Sequence, residues 1–315
     1  MCLIPNIIKT PLNYTGNKSR ILDQILPLFP KKINRFVDLC CGGASVGLNV
    51  VDRAKEVVCL DINKEVVYIL QTLLLFPEKS IITKVEDIIK EFGLSDTFNN
   101  GYEEYKKYID GNNGLKNFNK DGYMKLREHF NNSNLDIYNR AFHLLVLLSY
   151  GFNNDIRFNS SGKFNMPIGK TDFNGSMRDK LKSFKQGTSG KNIKFYLADF
   201  SIVKEFELGK NDFVYVDPPY LITNAVYNEN AGWGEQQEKK LLETLDYLHK
   251  TGVKFALSNV LSKEGKTNTI LASWIKKNGF KVIDINYHYR SASYNKKNRG
   301  ANEKEIVVLN YAPTE

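Results

Sequence analysis

Apolar and polar positions along the chain alternate between two spacings. "RFVDLC", "EVVCLDIN", "IKFYLADF", "DFVYVDPPY", "VKFALSN", "FKVIDINYHY" and "EIVVLNY" are short apolar runs of the kind that fill buried strands. Between them the spacing turns helical. "GASVGLNVV" reads as the start of a helix, and "EQQEKKLLETLDYLHKTG" repeats Leu241, Leu245 and Leu248, with Gly252 where a C-cap falls. The first strand, helix and second strand make a βαβ unit. The predicted fold is α/β, a Rossmann-like doubly wound sheet with an antiparallel strand near its C-terminal end.

That alternation is interrupted once. After about residue 95 the chain becomes rich in Asn, Gly, Lys and aromatics, from "SDTFNNGYEEYKKYIDGNNGLKNFNKDGY" to "FNGSMRDKLKSFKQGTSGKN", with one clear helix at about 136–150. Residues 76–185 are expected to be a mainly helical insert with its own small core and exposed polar loops, dividing a domain formed by 1–75 and 186–315. Such regions carry recognition more often than scaffold.

Composition narrows the class without choosing a function. A chain of 315 residues, 42% hydrophobic and 25% charged, suits one large α/β domain with an insert. The N-terminal apolar stretch is too short for a signal peptide, and no window approaches the roughly eighteen apolar residues of a membrane span, so a cytoplasmic protein is expected. Cys2, Cys40, Cys41 and Cys59 lack disulfide or zinc spacing, and no metal is expected. The formal charge of +9 fits either a lysine-rich solvated surface or a polyanionic partner.

The candidate chemistry sits where strands end. Asp38, Asp61, Asp199 and Asp217 each close an apolar run, and in open α/β sheets ligands bind beyond the carboxyl ends of strands. "DLCCGGASVG" follows the first strand with Gly42, Gly43 and Gly47, small residues that allow close approach of a ligand, although it is not a clean G-x-G-x-x-G. Asp61, about twenty residues on, is placed to bind both ribose hydroxyls of an adenosine and would repel a 2′-phosphate. The plainer alternative is a strand-end acid capping the helix that starts near Asn63.

"VDPPY" is the sharpest feature. An acid and two prolines cannot continue a ladder. After an apolar strand, Asp-Pro-Pro-Tyr resembles the catalytic motif of S-adenosylmethionine-dependent amino-methyltransferases, which implies that Asp217 and the Pro218 carbonyl offer two acceptors to the two N–H bonds of an aromatic amine and bias that nitrogen toward a more nucleophilic, tetrahedral form. Pro218 and Pro219 stiffen the loop, and Tyr220 offers a face for a base. Chemistry on a base inside a duplex requires flipping it out. A simple turn after a strand is the plainer alternative.

The order of segments over almost the whole chain is similar to that of the DNA adenine methyltransferase (Dam) family, including phage and restriction-system relatives. "PLNYTGNKSRIL" is similar to the family's "K-W-x-G-G-K" segment, and "FVDLCCGGASVGLN" to "E-P-F-x-G-x-G-S-V-F-L-N". "CLDIN" resembles the acid-ended second strand, and "LADF" the segment closing the cofactor pocket. "YGFNNDIRFNSSGKFNMPIGK" resembles the target-recognition segment, and "YRSASYNKKNRGANEKEIVVLNY" the C-terminal loop along the DNA.

The resemblance implies a methyltransferase sheet with an inserted target-recognition domain. Its activity would be transfer of a methyl group from S-adenosyl-L-methionine to N6 of a flipped adenine in double-stranded DNA. Asp217, Pro218, Pro219 and Tyr220 would be catalytic. Tyr14, Lys18, Asp38, Cys40, Gly42, Ser45, Asp61, Ile62, Asp199, Phe200 and Asp217 would hold the cofactor. Asn13, Phe152, Asn153, Asp155, Arg157, Pro167, Arg290, Ser291 and Arg299 would meet DNA, with Phe152 as the wedge in the gap left by the base. Lys163, Lys170, Arg178, Lys180, Lys182, Lys185 and the 295–299 loop would add phosphate contacts.

The departures concern specificity. Where GATC-methylating members read the first guanine with a lysine, this chain has Asn13, which prefers adenine edges. Asp155 takes the place of an apolar residue set against a thymine methyl, and can accept from cytosine N4 or adenine N6. Arg157, suited to guanine O6/N7, is kept. The expected site shares one guanine with GATC and differs at the first and third positions, unless Asp155 pairs with Lys163 or Lys170 away from DNA. The rival readings are a cytosine N4 methyltransferase, a DNA-binding module without turnover, and a Rossmann oxidoreductase. A cognate restriction endonuclease is expected as a genetic partner only, and the chain as a monomer or weak dimer.

Overall fold

The computed structural model describes residues 7–14, 16–109, 111–222, 233–286 and 304–313. One sheet contains β1 (Ile33–Leu39), β2 (Ala54–Asp61), β3 (Ile193–Leu197), β4 (Phe213–Val216), β5 (Lys254–Lys263), a two-residue β6 (Lys266–Thr267), β7 (Lys281–Ile285) and β8 (Lys304–Leu309). Their order is β3-β2-β1-β4-β5-β8-β7, with β6 paired to β5. The first five pair in parallel, and β8 runs antiparallel to both β5 and β7. The doubly wound sheet and its antiparallel C-terminal strand are therefore as expected.

Both faces of the sheet are covered, which is why its strands read as near-continuous apolar runs rather than alternating ones. Phe36, Val57, Phe195, Phe213 and Val307 point into one layer, with α1 (Lys64–Leu75). Their neighbours Val37, Val58, Val214 and Ile306 point into the other, with α6 (Glu235–Lys250) and α7 (Thr269–Asn278). Leu241, Leu245 and Leu248 of α6 lie fully buried there, as their spacing predicts. Among the described residues no helix is long and apolar enough to cross a membrane.

Three local expectations need correction. The helix after β1 is one turn, Ser45–Leu48. The Asn49 side chain ends it by donating to Ser45 O (2.8 Å) and Ile8 O (3.0 Å). Residues 76–185 hold four long helices rather than one: α2 (Glu78–Glu91), α3 (Lys116–Asn132), α4 (Ile137–Tyr150) and α5 (Gly175–Thr188). In α3 the asparagines hide the pattern, but Tyr123, Leu126 and Phe130 are buried, and Asn119 accepts from Ser95 N at 2.7 Å. Packing overrides weak helix propensity there.

The third correction is that this region has no core of its own. Ile81, Val85, Tyr123, Phe130 and Leu144 join the same cluster as Phe36 and Val57. Arg140 of α4 fastens it to α1, with Nη2 2.8 Å from Glu65 Oε1 and the guanidinium 4.1 Å above the Phe130 ring. Asp136 caps α4 by accepting from Tyr138 N and Asn139 N, so this helix starts where its sequence predicts. Its far end carries the segment that overlooks the strand ends.

Candidate active site

Strand order reverses between β1 and β4, so the connections leaving their carboxyl ends part and open a crevice. Asp217 is at that point, its N–H donating to Leu39 O at 3.3 Å. A cavity of about 1230 Å³ opens above it, lined by the N-terminal segment, the glycine loop, the ends of β2 and β3, the Asp-Pro-Pro-Tyr turn, and residues 152–158. All the expected catalytic and cofactor residues line it, as do Phe152, Asn153, Asp155, Arg157 and Pro167.

One half of the cavity is backbone shaped by glycine and acids. Cys40, Gly42 and Ala44 take left-handed φ values of 60°, 49° and 57°. A Cβ on Gly42 would come within 2.6 Å of the Tyr14 ring, so the loop and that ring touch only because the residue is glycine. Asp61 fastens the loop: Oδ2 accepts from Gly42 N (2.8 Å) and Oδ1 from Asn63 N (2.8 Å). Asn63 itself caps α1, so the capping role suggested for Asp61 falls mainly to its neighbour. Asp38 accepts from Gly47 N at 2.9 Å. Burial pushes both carboxyls above the ordinary carboxylate range.

Toward the rim, Ile62 is exposed, and Asp199 is paired with Lys240 at 2.9 Å. Phe200 packs edge-on to Trp233, ring centroids 5.9 Å apart, and the Trp233 indole donates to buried Glu238 at 3.1 Å.

The other half is a knot of charge. Lys18, 2% exposed, lies with Nζ 3.1 Å from Asp217 Oδ1 and 3.3 Å from Glu305 Oε1. It also donates to the Tyr220 hydroxyl at 2.5 Å and to Gly16 O at 3.3 Å. Tyr220 in turn donates toward Asp217 Oδ1 (3.0 Å) and Glu305 Oε1 (3.3 Å). The ammonium of Lys18, which the resemblance gave to the cofactor, is thus turned to the acid motif. Burial pushes the Asp217 carboxyl up to about 6, with Lys18 pulling it down and Glu305 pushing it further up.

The cavity mouth is built differently. Phe152 is 48% exposed and so stands outside the core. Behind it Asn153 and Asn154 are both left-handed, with φ of 56° and 54°. The Asn154 amide donates to Leu148 O (2.9 Å) and Ser149 O (3.2 Å), closing the end of α4, and its oxygen accepts from Asn13 at 3.1 Å. Phe152 N donates to Pro167 O at 2.8 Å. Arg157 is braced along one edge: Nε donates to Asn165 Oδ1 (2.9 Å) and Nη2 to Asn165 O (2.7 Å). That leaves the Nη1/Nη2 edge for a planar partner.

Several expected DNA contacts are placed otherwise. Asn13 does not line the cavity; its oxygen accepts from Lys180 at 2.5 Å. Arg178 pairs with Glu86 at 2.8 Å and lies 4.1 Å over the Phe98 ring, and Lys185 caps α1 through Leu73 O and Leu74 O (2.8 and 3.0 Å), so neither serves as a free phosphate contact. Lys163 donates to Asn132 at 3.1 Å. Lys170 and Lys182 are exposed. Arg290, Ser291, Arg299 and the 295–299 loop lie outside the described residues. Glu305, Trp233 and Lys240 were missed by sequence reasoning.

A reversal-point crevice, a glycine loop fastened by a strand-end acid, and an acid-proline turn opposite it define a Rossmann-like α/β protein with a ligand-sized cavity at its switch point. The chain belongs to the D12 class N6 adenine-specific DNA methyltransferases, whose family model matches residues 14–291. It is 37% identical over 310 residues to type II methyltransferase M.FokI of Planomicrobium okeanokoites, and 36% over 312 residues to modification methylase StsI of Streptococcus sanguinis. Each alignment covers 96% of this chain and 43% of the relative, so the chain spans less than half the length of those two proteins. Type II methyltransferase M1.LlaDCHI of Lactococcus lactis subsp. cremoris is 27% identical over 312 residues, covering 95% of this chain and 94% of its own.

Proposed function

We propose that this chain transfers a methyl group from S-adenosylmethionine to N6 of an adenine flipped out of a short sequence in duplex DNA. The observation that carries the reading is Asp217 at the floor of the cavity, held by Lys18 and Tyr220 beside the Pro218–Pro219 turn and opposite the glycine loop. Membership of an adenine-specific family speaks against the cytosine N4 alternative.

The residues present fit the cofactor. The cavity exceeds the roughly 300–1,000 Å³ of a single small-molecule site, which leaves room for both a cofactor and an extruded base. Gly42 supplies a cradle that a Cβ would fill, and the second lone pairs of Asp61 can accept ribose hydroxyls. Tyr14, Lys18, Asp38, Cys40, Ser45, Ile62, Asp199 and Phe200 complete the wall. When bound, S-adenosylmethionine supplies an electrophilic methyl on a cationic sulfur, which strand-end carboxylates complement.

At the floor, the Asp217 carboxylate and the Pro218 carbonyl accept the two N–H bonds of the adenine amine, drawing its lone pair out of the ring and toward the methyl. Tyr220 stacks on the base and Pro219 fixes the turn. Excluding water strengthens these hydrogen bonds. Phe152 wedges into the vacated stack, Arg157 offers its open edge to a guanine, and Asn153, Asp155 and Pro167 face the neighbouring pairs. Residues 76–185 are the target-recognition region, and 1–75 with 186–315 the catalytic one. On this reading the protein works in the cytoplasm as a monomer or weak dimer, and an endonuclease, where the gene has one beside it, is a partner at the genetic level only.

The test is to incubate the chain with S-adenosylmethionine and duplex DNA free of adenine methylation, then weigh the hydrolysed nucleosides. N6-methyladenine is expected. N4-methylcytosine, or no methylated base, overturns the proposal. Methylome sequencing of expressing cells then gives the site, and a plain GATC pattern removes the altered specificity assigned to Asp155.

A further inference from the structure

Glu305 is buried, yet it has no place in the transfer as described so far. It reaches the site because β8 runs antiparallel: the start of that strand lies at the carboxyl edge of its parallel neighbours, where Glu305 pairs in register with Val260. Its Oε1 is 3.3 Å from both Lys18 Nζ and the Tyr220 hydroxyl, while its Oε2 is buried with no hydrogen-bond partner among the described residues. A buried carboxylate oxygen left unpartnered is costly and calls for a reason.

The hydrogen-bond count supplies one. Lys18 has three N–H bonds and faces four acceptors among the described residues: Gly16 O, the Tyr220 oxygen, Asp217 Oδ1 and Glu305 Oε1. Both Lys18 and Tyr220 also converge on the single oxygen Oδ1 of Asp217. So the acid that must accept an incoming amine is engaged by two donors, and a second acid stands beside them with acceptor capacity to spare.

We infer that Glu305 is a positioning residue that takes the Lys18 ammonium and the Tyr220 hydroxyl as its own partners when the base enters, leaving Asp217 to the amine. The inference rests on the transfer proposed above. Two carboxylates around one ammonium keep the cluster net negative, so Asp217 is not neutralised by Lys18 alone. Without Glu305, Lys18 closes on Asp217 and competes with the substrate.

Glu305→Gln keeps the shape and removes the charge. Single-turnover methyl transfer to unmethylated duplex DNA is measured against pH, with the dissociation constant for S-adenosylmethionine by titration calorimetry. The expected result is a plateau rate at least tenfold lower, cofactor affinity within twofold of wild type, and an acid limb moved to lower pH, because Glu305 no longer repels the ionising Asp217. A simple packing defect lowers the rate without moving the limb. In a Lys18→Met background the competitor is gone, so adding Glu305→Gln should change the plateau by less than twofold. An unchanged plateau in the single variant, or an equal loss in both backgrounds, overturns the inference. Should Glu305→Gln not fold alone, the comparison of Lys18→Met with Lys18→Met/Glu305→Gln, which removes the buried charges together, decides it by the same criterion. A wild-type chain that makes no N6-methyladenine breaks the proposed function instead, and the two failures are thereby distinct.

Discussion

The floor and the mouth of the cavity are held by different physics. At the floor, Lys18, the Asp217–Tyr220 turn and Glu305 come from three separate parts of the chain and are fixed by one another within a buried sheet edge. At the mouth, Phe152 to Arg157 are neighbours in sequence, partly exposed to solvent, and held by asparagines that satisfy backbone groups. On the proposed roles, chemistry is placed by tertiary structure and recognition by local structure. Substitutions at the floor should therefore alter the rate on any DNA, and those at the mouth should alter which DNA is used.

The largest effect tests the floor. Asp217→Ala is expected to lower methyl transfer by roughly a thousandfold, within the range for a positioned acceptor or base. Transfer of labelled methyl at saturating DNA measures it; survival of near-wild-type turnover breaks the assigned role. Asp217→Asn separates charge from shape. The raised carboxyl, about 6 against an ordinary 3.8, means that the folded state holds a proton the unfolded state gives up between those values. That group's contribution to stability is therefore full below about 3.8 and lost as pH rises through about 6. Asp217→Asn should be inactive yet melt at least as high as wild type at pH 8, since Glu305 still pairs with Lys18. Wild-type activity should fall to half near pH 6, as Asp217 takes up its proton.

Next come the residues of the mouth. Arg157→Ala should cost about 1–3 kcal/mol of discrimination at one base pair, or roughly five- to 150-fold, while leaving turnover on a relaxed site. Loss of rate with unchanged site preference, read from methylomes of the two forms, would place Arg157 in scaffold. Phe152→Ala should lower kcat/KM on paired DNA by about tenfold and by less on a duplex carrying a mismatch opposite the target adenine, where extrusion is cheaper. Equal losses on both substrates break the wedge role.

The same contrast explains what the sequence disclosed. The doubly wound sheet and the Asp217 turn were legible because buried strands announce themselves as apolar runs, and an acid followed by two prolines interrupts one abruptly. Cofactor-side residues followed from the resemblance. Glu305 was hidden because nothing near it in sequence is unusual; only the antiparallel course of β8 brings it to residues 18 and 217. Helix α3 was hidden by its asparagines, and the free-looking cations Arg178 and Lys185 by partners distant in sequence. Long-range pairing is what a linear pattern cannot show.

The smallest effect bears on whether the mouth is rigid by design. Asn154 is left-handed, closes α4 through two carbonyls and accepts from Asn13. Asn154→Gly keeps the conformation and loses the bonds, whereas Asn154→Ala loses both. Removing a cap costs about 1 kcal/mol, and a Cβ in left-handed backbone adds about 1 kcal/mol more for a residue without a compensating side chain. Denaturant melts should rank wild type above Gly and Gly above Ala in steps of that size. If the bonds also aim Phe152, both variants should share the mismatch-sensitive loss of Phe152→Ala while Asp217-dependent chemistry, read as the plateau rate on mismatched duplex, stays within about twofold. A loss that is equal on paired and mismatched DNA would mean that the turn supports the whole cavity, and that floor and mouth are one unit rather than two.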